Sequence, residues 1–405
     1  MSSPLHLAIA LEGAGWHPAA WREPSARPAD LFGADYWLDL VALAERGLAD
    51  FLTIEDSFSL DATGLSTDED DTNQVRGRLD AVLIADRVAP TTRHIGLVPT
   101  VLATHTEPFH ISKAIATLDH VSTGRGGVRV QVSARAAEAA HVGRRQLPLI
   151  TQENYFEPAA QQALSVLLDE ATDFVEVIRR LWDSWEDNAE IRDVTTGRFI
   201  DRDKIHYIDF QGQFFSVKGP SIVPRPPQGQ PLVTALAHSP IVYRFAARSA
   251  DVVFVTPADT QSARRILDEV RTELRGVGRP EGELAVYADV VVFLDSPTET
   301  GEARRARLDA LSGAPYVSDA YIFAGSAGDL ADLLLAWQSI GYTGFRLRPG
   351  TLPDDLTAIT EDLVPELQSR GAFRTEYESD TLRGLLGLGR PTNRYAVPAP
   401  ITGRV

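Results

Sequence analysis

The chain has 405 residues, 44% of them hydrophobic and 23% charged, the composition of an ordinary globular protein. Its net charge of -17 excludes nucleic acid and anionic membrane surfaces as natural partners, because both repel an acidic protein. The absence of cysteine excludes disulfides, thiolate metal sites and a cysteine nucleophile. The opening run MSSPLHLAIALEG lacks a basic segment and a long apolar core, and no uninterrupted apolar run reaches about 18 residues, so a cytoplasmic location is the expectation.

Leu5 to Leu11 reads as a short apolar strand that runs into the polar segment Glu12 to His17. Between Trp37 and Leu48 charges interleave with Leu38, Val41, Leu43 and Ala44, which predicts a helix stopping at Gly47. Phe51 to Ile54 is the next strand and ends in Glu55 and Asp56. The segment from Asp61 to Arg78 holds four successive acids, Asp68 to Asp71, and reads as a solvated loop over the ligand side rather than a metal site. Helical spacing resumes from Arg78 to Val88.

Ile95 to Thr104 is uncharged and rich in β-branched residues, the signature of a strand buried on both faces. Pro108 opens a helix that runs to Val121 with Ile111, Ala114, Ile115 and Leu118 on one side. After Gly124, Gly126 and Gly127 a second apolar strand, Val128 to Ser133, completes a right-handed βαβ unit of a parallel sheet. A less regular region follows, then a long amphipathic helix from Ala163 to Trp185. Residues 186 to 230 lose helical period and carry the strand-like runs KIHYIDF and QFFSV and the cluster Pro220, Pro224, Pro226 and Pro227, which predicts an insertion beside the ligand mouth. Strands return at Pro231 to Ala237, Asp251 to Thr256, Leu284 to Leu294 and Gly344 to Leu347, with helices at Ile241 to Ser249, Gln261 to Leu274 and Leu330 to Trp337. A last helix, Leu356 to Ser369, belongs to a C-terminal extension over about 354 to 405, expected to wrap the barrel or a second subunit.

Eight strands, near positions 5, 51, 95, 128, 231, 251, 285 and 344, alternate with helices. That is the count of an α/β fold closed as a (β/α)8 TIM barrel, here one domain over 1–405 with its insertion between the fourth and fifth strands. No G-x-G-x-x-G follows the first strand, which counts against an open dinucleotide-binding sheet.

In such a barrel the polar residues where strands end face the ligand. Thr100, Thr104 and His105 lie at the end of the third strand and Ser133 at the end of the fourth; His105 could instead cap the helix that begins near Pro108. His17 sits between Trp16 and Pro18 in a glycine-rich loop, as a site residue or as a solvent-facing loop residue. Asp56 ends a buried strand and must be hydrogen-bonded there, by a ligand or by capping the next loop. His141 has no visible partner and reads as a surface residue. Arg129 and Gln131 share one face of the fourth strand, where the guanidinium needs either a phosphate or an internal partner such as Glu12 or Asp56. Arg346 and Arg348 alternate in the same way on the last strand. The first strand has no H-x-H pair, so no metal is expected.

Several runs together resemble the bacterial luciferase-like superfamily of flavin-dependent oxidoreductases, in the branch of the nitrilotriacetate, dibenzothiophene-sulfone and long-chain alkane monooxygenases. They are GAGWHPAAWR (13–22), AERGLADFLTIEDSF (44–58), LDHVSTGRGG (118–127), LWDSWED (181–187), GQFFSVKGP with PPQGQP (212–220 and 226–231) and VPELQSRGAFRTEYESDTLRGLLGLGRP (364–391). The resemblance implies a (β/α)8 barrel binding reduced flavin mononucleotide (FMN), or in other branches a deazaflavin, at the strand ends. It implies His17 near the flavin ring and substrate as the proton-handling group, Asp56 near the ring, Thr100 and Thr104 at the end of the third strand, and Ser133 and Ser239 near the ribityl chain or phosphate. It further implies a monooxygenase supplied by a separate flavin reductase, acting on a small organic substrate, and a homodimer or homotetramer.

The chain also departs from that pattern. Where the branch reads Gly-Trp-Asn-Val-Val-Thr-Ser, this sequence has Gly127, Val128, Arg129, Val130, Gln131, Val132 and Ser133. Ala235, Leu236, Ala237, His238 and Ser239 replace a Gln-Ala-Gly-x-Ser phosphate loop, and Leu168 stands where a tyrosine is usual. New phosphate contacts from Arg129, Arg135 or His238, a deazaflavin, or a barrel with an eroded flavin site serving as a binding protein are the readings these departures leave open.

Overall fold

The computed structural model describes residues 5–60, 72–151 and 153–396; the acidic run Asp68–Asp71 lies outside them. In chain order the first half comprises β1 (His6–Leu11), α1 (Ala34–Arg46), β2 (Phe51–Ile54), α2 (Ala81–Val88), β3 (Gly96–Leu102), α3 (Pro108–Val121), β4 (Gly127–Gln131), α4 (Ala136–Val142) and the long α5 (Pro158–Asp183). The insertion holds two antiparallel hairpins, β5 (Glu190–Asp193) with β6 (Arg198–Ile200) and β7 (Phe210–Gln211) with β8 (Ser216–Val217). Then come β9 (Leu232–Ala237), α6 (Pro240–Ser249), β10 (Val252–Val255), α7 (Thr260–Gly276), β11 (Ala285–Leu294), α8 (Gly301–Ser312), β12 (Tyr321–Gly325), α9 (Ala327–Ile340), β13 (Gly344–Pro349), α10 (Asp354–Ala358), α11 (Val364–Ser369) and α12 (Leu382–Leu385).

Eight parallel strands close into a ring in the order β1, β2, β3, β4, β9, β10, β11, β13, with β13 returning to β1 through His6 opposite Gly344. This is the (β/α)8 barrel expected from the strand count. One strand was not expected: β12 pairs with Val290–Leu294, the upper half of β11, beyond the stretch Ala285–Ala288 that β10 occupies. The region after Ser133, irregular by sequence, contains the short α4.

Strand periodicity decides which side chains enter the lumen. Leu52 and Ile54, Leu97 and Val101, Val128 and Val130, and Phe345 and Leu347 point outward and join the main core under the helices. Phe51, Val98, Leu232 and Tyr287 point inward and form the lower lumen layer with Phe254. That layer is closed from below by the C-terminal extension. Leu382 is fully buried among these residues, and Gly96 admits it, since a Cβ on Gly96 would lie 2.6 Å from Leu382 Cδ1 and 2.8 Å from Phe51 Cβ.

The extension thus folds across the bottom of its own barrel. Arg374 donates to Asp50 Oδ1 at 2.6 Å, Asp50 Oδ2 accepts from Leu7 N at 2.7 Å, and Leu5 N donates to Ala372 O at 2.9 Å. Several of the runs that carried the resemblance meet here. Asp119 accepts from Gly126 N at 3.0 Å and Gln228 N at 3.0 Å, and Gln228 Oε1 accepts from Arg383 N at 2.8 Å. Asn393 and Arg225 similarly tie the extension to Asp183 and Trp185 at the end of α5. The insertion packs Ile208 and Phe210 on Val177 and Leu181 of α5. No helix among the described residues is long and apolar enough to cross a membrane.

Truncating Leu382 to alanine opens a cavity under the lower lumen layer. The L382A variant is expected to lose about 3 kcal/mol of unfolding free energy, seen as a lower urea midpoint by circular dichroism; an unchanged midpoint would show that the plug does not support the barrel.

Candidate functional site

The C-terminal ends of the strands gather the expected residues on one side of the barrel, but at three different depths. The deepest are inside the lumen. Arg129 donates from Nε to Thr100 Oγ1 at 2.9 Å, from Nη2 to Gln131 Oε1 at 2.9 Å, and also to Glu55. Arg346 binds Asp289 Oδ1 at 2.9 Å and Glu55 Oε1 at 3.1 Å, and Arg348 binds Asp289 Oδ2 at 2.8 Å and Asp319 Oδ1 at 2.7 Å. All three guanidiniums are buried and matched by three carboxylates. Burial works to raise the carboxyl pKa values of Asp289 and Asp319, but the neighbouring arginines outweigh it and hold both below the usual range.

The internal reading of Arg129 therefore holds with a different partner: Glu55, not Glu12 or Asp56. Strand parity is the reason. Thr53 and Glu55 alternate inward with Phe51, whereas Asp56 falls on the outward side with Leu52 and Ile54.

Asp56 and His17 support the rim from outside the lumen. Asp56 accepts from Ser57 N at 2.7 Å and from Ala81 N at 3.1 Å, so its carboxylate fastens the start of α2. Burial pushes its carboxyl up to about 6, against the lowering pull of those two N–H groups. His17 is 1% exposed and packs against Phe293 and Tyr316. Its Nδ1 accepts from Ala19 N at 3.0 Å and its Nε2 lies 3.1 Å from Asp309 Oδ1, a pairing that assigns a neutral ring with the proton on Nε2. Burial lowers its pKa, and Asp309 acts in the opposite sense. Asp309 also accepts from Tyr316 N at 2.7 Å, so the pair anchors the loop that leads to Asp319. With both nitrogens engaged, His17 does not stand free as the proton carrier that the resemblance implied.

The remaining residues line the rim itself. Thr104 Oγ1 accepts from Ser133 N at 3.0 Å, joining the ends of β3 and β4, and Ser133 Oγ accepts from Arg135 N at 3.2 Å. His238 Nδ1 lies 2.9 Å from Thr256 Oγ1 and its Nε2 lies 3.6 Å from Asp319. Ser239 occupies the N-cap position of α6, yet its side chain makes no capping bond and its buried Oγ has no partner among the described residues. Trp16 closes the lumen from above: its ring covers Arg348 with the guanidinium carbon 4.4 Å from the ring centre, and its Nε1 donates to Ala10 O at 3.2 Å.

His105 does not cap α3; neither ring nitrogen has a partner among the described residues, and it borders a cleft of about 150 Å³. His141 is exposed but bonded, its Nδ1 lying 2.8 Å from Phe58 O. Sequence reasoning missed Glu55, Asp289 and Asp319 altogether. The alternation of Thr53 with Glu55 was the available signal for the first; nothing local marked the other two. Among the described residues no group of three metal-binding side chains occurs.

The model of the luciferase-like monooxygenase family matches residues 14–344. Nitrilotriacetate monooxygenase component A of Aminobacter aminovorans is 31% identical over 98% of this chain and 99% of that protein. N-acetyl-S-(2-succino)cysteine monooxygenase of Bacillus subtilis is 30% identical over 97% and 98%. Among solved structures, a long-chain alkane monooxygenase superposes with a TM-score of 0.80 over 96% of each chain at 22% identity, a likeness of fold.

The raised Asp56 pKa carries a pH dependence. An aspartate perturbed from 3.8 to about 6 favours folding while protonated, and that share of stability is lost as pH rises through the interval between the two values. In urea titrations from pH 4 to 7, wild type is expected to lose stability relative to D56N; a constant difference would remove the perturbation.

Proposed function

As the chain belongs to the luciferase-like monooxygenase family, and is on that ground an oxidoreductase of the monooxygenase kind, we propose that it is the oxygenating component of a two-component flavin system. A separate reductase supplies reduced FMN, and the chain uses it with oxygen to oxidise a small organic substrate. The observation that carries this reading is the unpartnered Ser239 hydroxyl at the start of α6. Pro240 has no N–H, and Val242 N and Tyr243 N already donate to Ser239 O, so the hydroxyl stands beside the Ile241 N–H, a donor pair that suits a phosphate oxygen.

The residues present fit the cofactor at the rim. The lumen is filled by Arg129, Arg346 and Arg348, which leaves the residues of the rim as those that would hold a flat ring. Ser239 and the Ile241 N–H at the start of α6 would hold the phosphate, with His238 beside them. Thr104 and Ser133, joined at the ends of β3 and β4, would border the ring or its ribityl chain. Reduced flavin, when bound, supplies the electrons that activate oxygen.

The other side chains act by keeping this surface shaped and dry. Thr100 and Arg129 belong to the charged floor, with Trp16 laid over Arg348 as a water-excluding cover. His17, through Asp309, fixes the loop carrying Tyr316 and Asp319, and Asp56 fixes the start of α2. We assign both as positioning residues.

Fluorescence titration with FMN, reduced FMN and a deazaflavin tests the cofactor, and oxygen uptake with and without reduced FMN tests the chemistry. FMN binding is expected, with S239A weakening it by about tenfold through loss of one charge-assisted hydrogen bond. Tight binding of the deazaflavin alone, or of neither cofactor, would sink the assignment.

A further inference from the structure

The cleft beside β3 lies between Thr104–Glu107 of the loop after that strand, Arg144 and Arg145 after α4, Glu170 of α5, and Phe214 and Phe215 of the insertion. Its volume of about 150 Å³ accommodates a chemical group of several heavy atoms. Two features of its lining restrict what that group can be.

The first is charge. Arg145 donates two parallel bonds to Glu170, at 2.6 and 2.7 Å, and Arg144 pairs with Glu107. Each guanidinium already has its carboxylate, so an ionised guest gains little here. An anion would either displace a carboxylate from its arginine or face Glu107 and Glu170 with like charge, and a cation would meet the same obstacle from Arg144 and Arg145.

The second is His105. It is 8% exposed, and both ring nitrogens are covered and without a hydrogen-bond partner. Its ring centre lies 6.2 Å from that of Phe58. Burial lowers its pKa, so the ring is neutral, with one N–H to give and one lone pair to fill. Leaving such groups buried and unpaired is unfavourable, and a guest that supplies both partners relieves it.

The geometry points to this cleft as a subsite for a neutral group that both donates and accepts hydrogen bonds, an amide or hydroxyl of the organic substrate, read by His105 and flanked by Phe214 and Phe215. An adjoining carbon chain lies on the two phenyl rings while the polar group turns toward the imidazole. His105 is in this view a specificity-determining residue. The proposal rests on the rim being the substrate face of a monooxygenase, but its test needs no turnover.

Butanamide and butanoate, nearly equal in shape, serve as probes of the full chain labelled with 15N at histidine, the His105 signals being identified by their loss in H105Q. Butanamide is expected to shift both His105 ring nitrogens saturably, with half-saturation in the millimolar range suited to so small a ligand. Butanoate should need about tenfold more, as should butanamide with H105L followed by ligand-observed NMR, while H105Q retains amide binding because glutamine also offers a donor and an acceptor. Equal affinity for the two probes, an unmoved His105, or unimpaired amide binding by H105L each overturns the proposal. Any of these alongside intact FMN binding refutes the subsite and leaves the monooxygenase reading standing; loss of FMN binding with amide discrimination preserved does the reverse.

Discussion

Three guanidinium groups enclosed in a barrel set the terms for everything above them. Arg129 comes from β4, Arg346 and Arg348 from β13, and their carboxylates from the end of β2, from β11 and from the segment before β12. A buried cation without its partner costs about 3–5 kcal/mol, so the lumen is occupied only if strands from opposite sides of the ring are in register at once. The network therefore joins the strands across the lumen as well as along the ladder. It also makes the interior solid, which moves any guest to the rim and leaves recognition to loops.

The rim and the bottom of the barrel are built on different principles. Below, the Asp119 and Gln228 side chains bind backbone N–H groups of separate segments and Leu382 packs tightly on Gly96, which leaves little room for change. Above, hydroxyls and imidazoles stand at strand ends with bonds unmade, at Ser239 and His105. A scaffold stiff at one end can carry unsatisfied groups at the other, because the cost of holding them apart is met by packing elsewhere.

How much of this was legible in the sequence differs by layer. The eight barrel strands were readable because each is a short, mainly apolar run between polar breaks, interrupted on β4 and β13 by arginines that alternate with apolar residues. β12 was not: Tyr321–Gly325 is five residues long, and it exists because β11 is long enough to offer its upper half as an edge. The resemblance was carried by runs such as LDHVSTGRGG and the segment around Leu382, which the structure uses as joints at the bottom and not as chemistry. They therefore identified the fold far better than the site. Asp56 and Glu55 are adjacent, and only the inward and outward alternation of the strand separates a helix fastener from an internal counter-ion. The roles of Asp289, Asp309 and Asp319 depend on contacts hundreds of residues apart in one case, 292 between His17 and Asp309, which no local pattern displays.

The closing contact of the barrel has a temporal side. β1 has β13 as one of its two neighbours, and the floor beneath them is laid by Leu382 and Arg374. During synthesis the first strand must therefore wait until β13 and the segment carrying Leu382 have left the ribosome before its edge and floor are covered. For that interval an apolar ribbon, LHLAIAL, stands open to any other extended chain nearby. Until β13 arrives, pairing of that open edge with a foreign strand competes with closure of the ring.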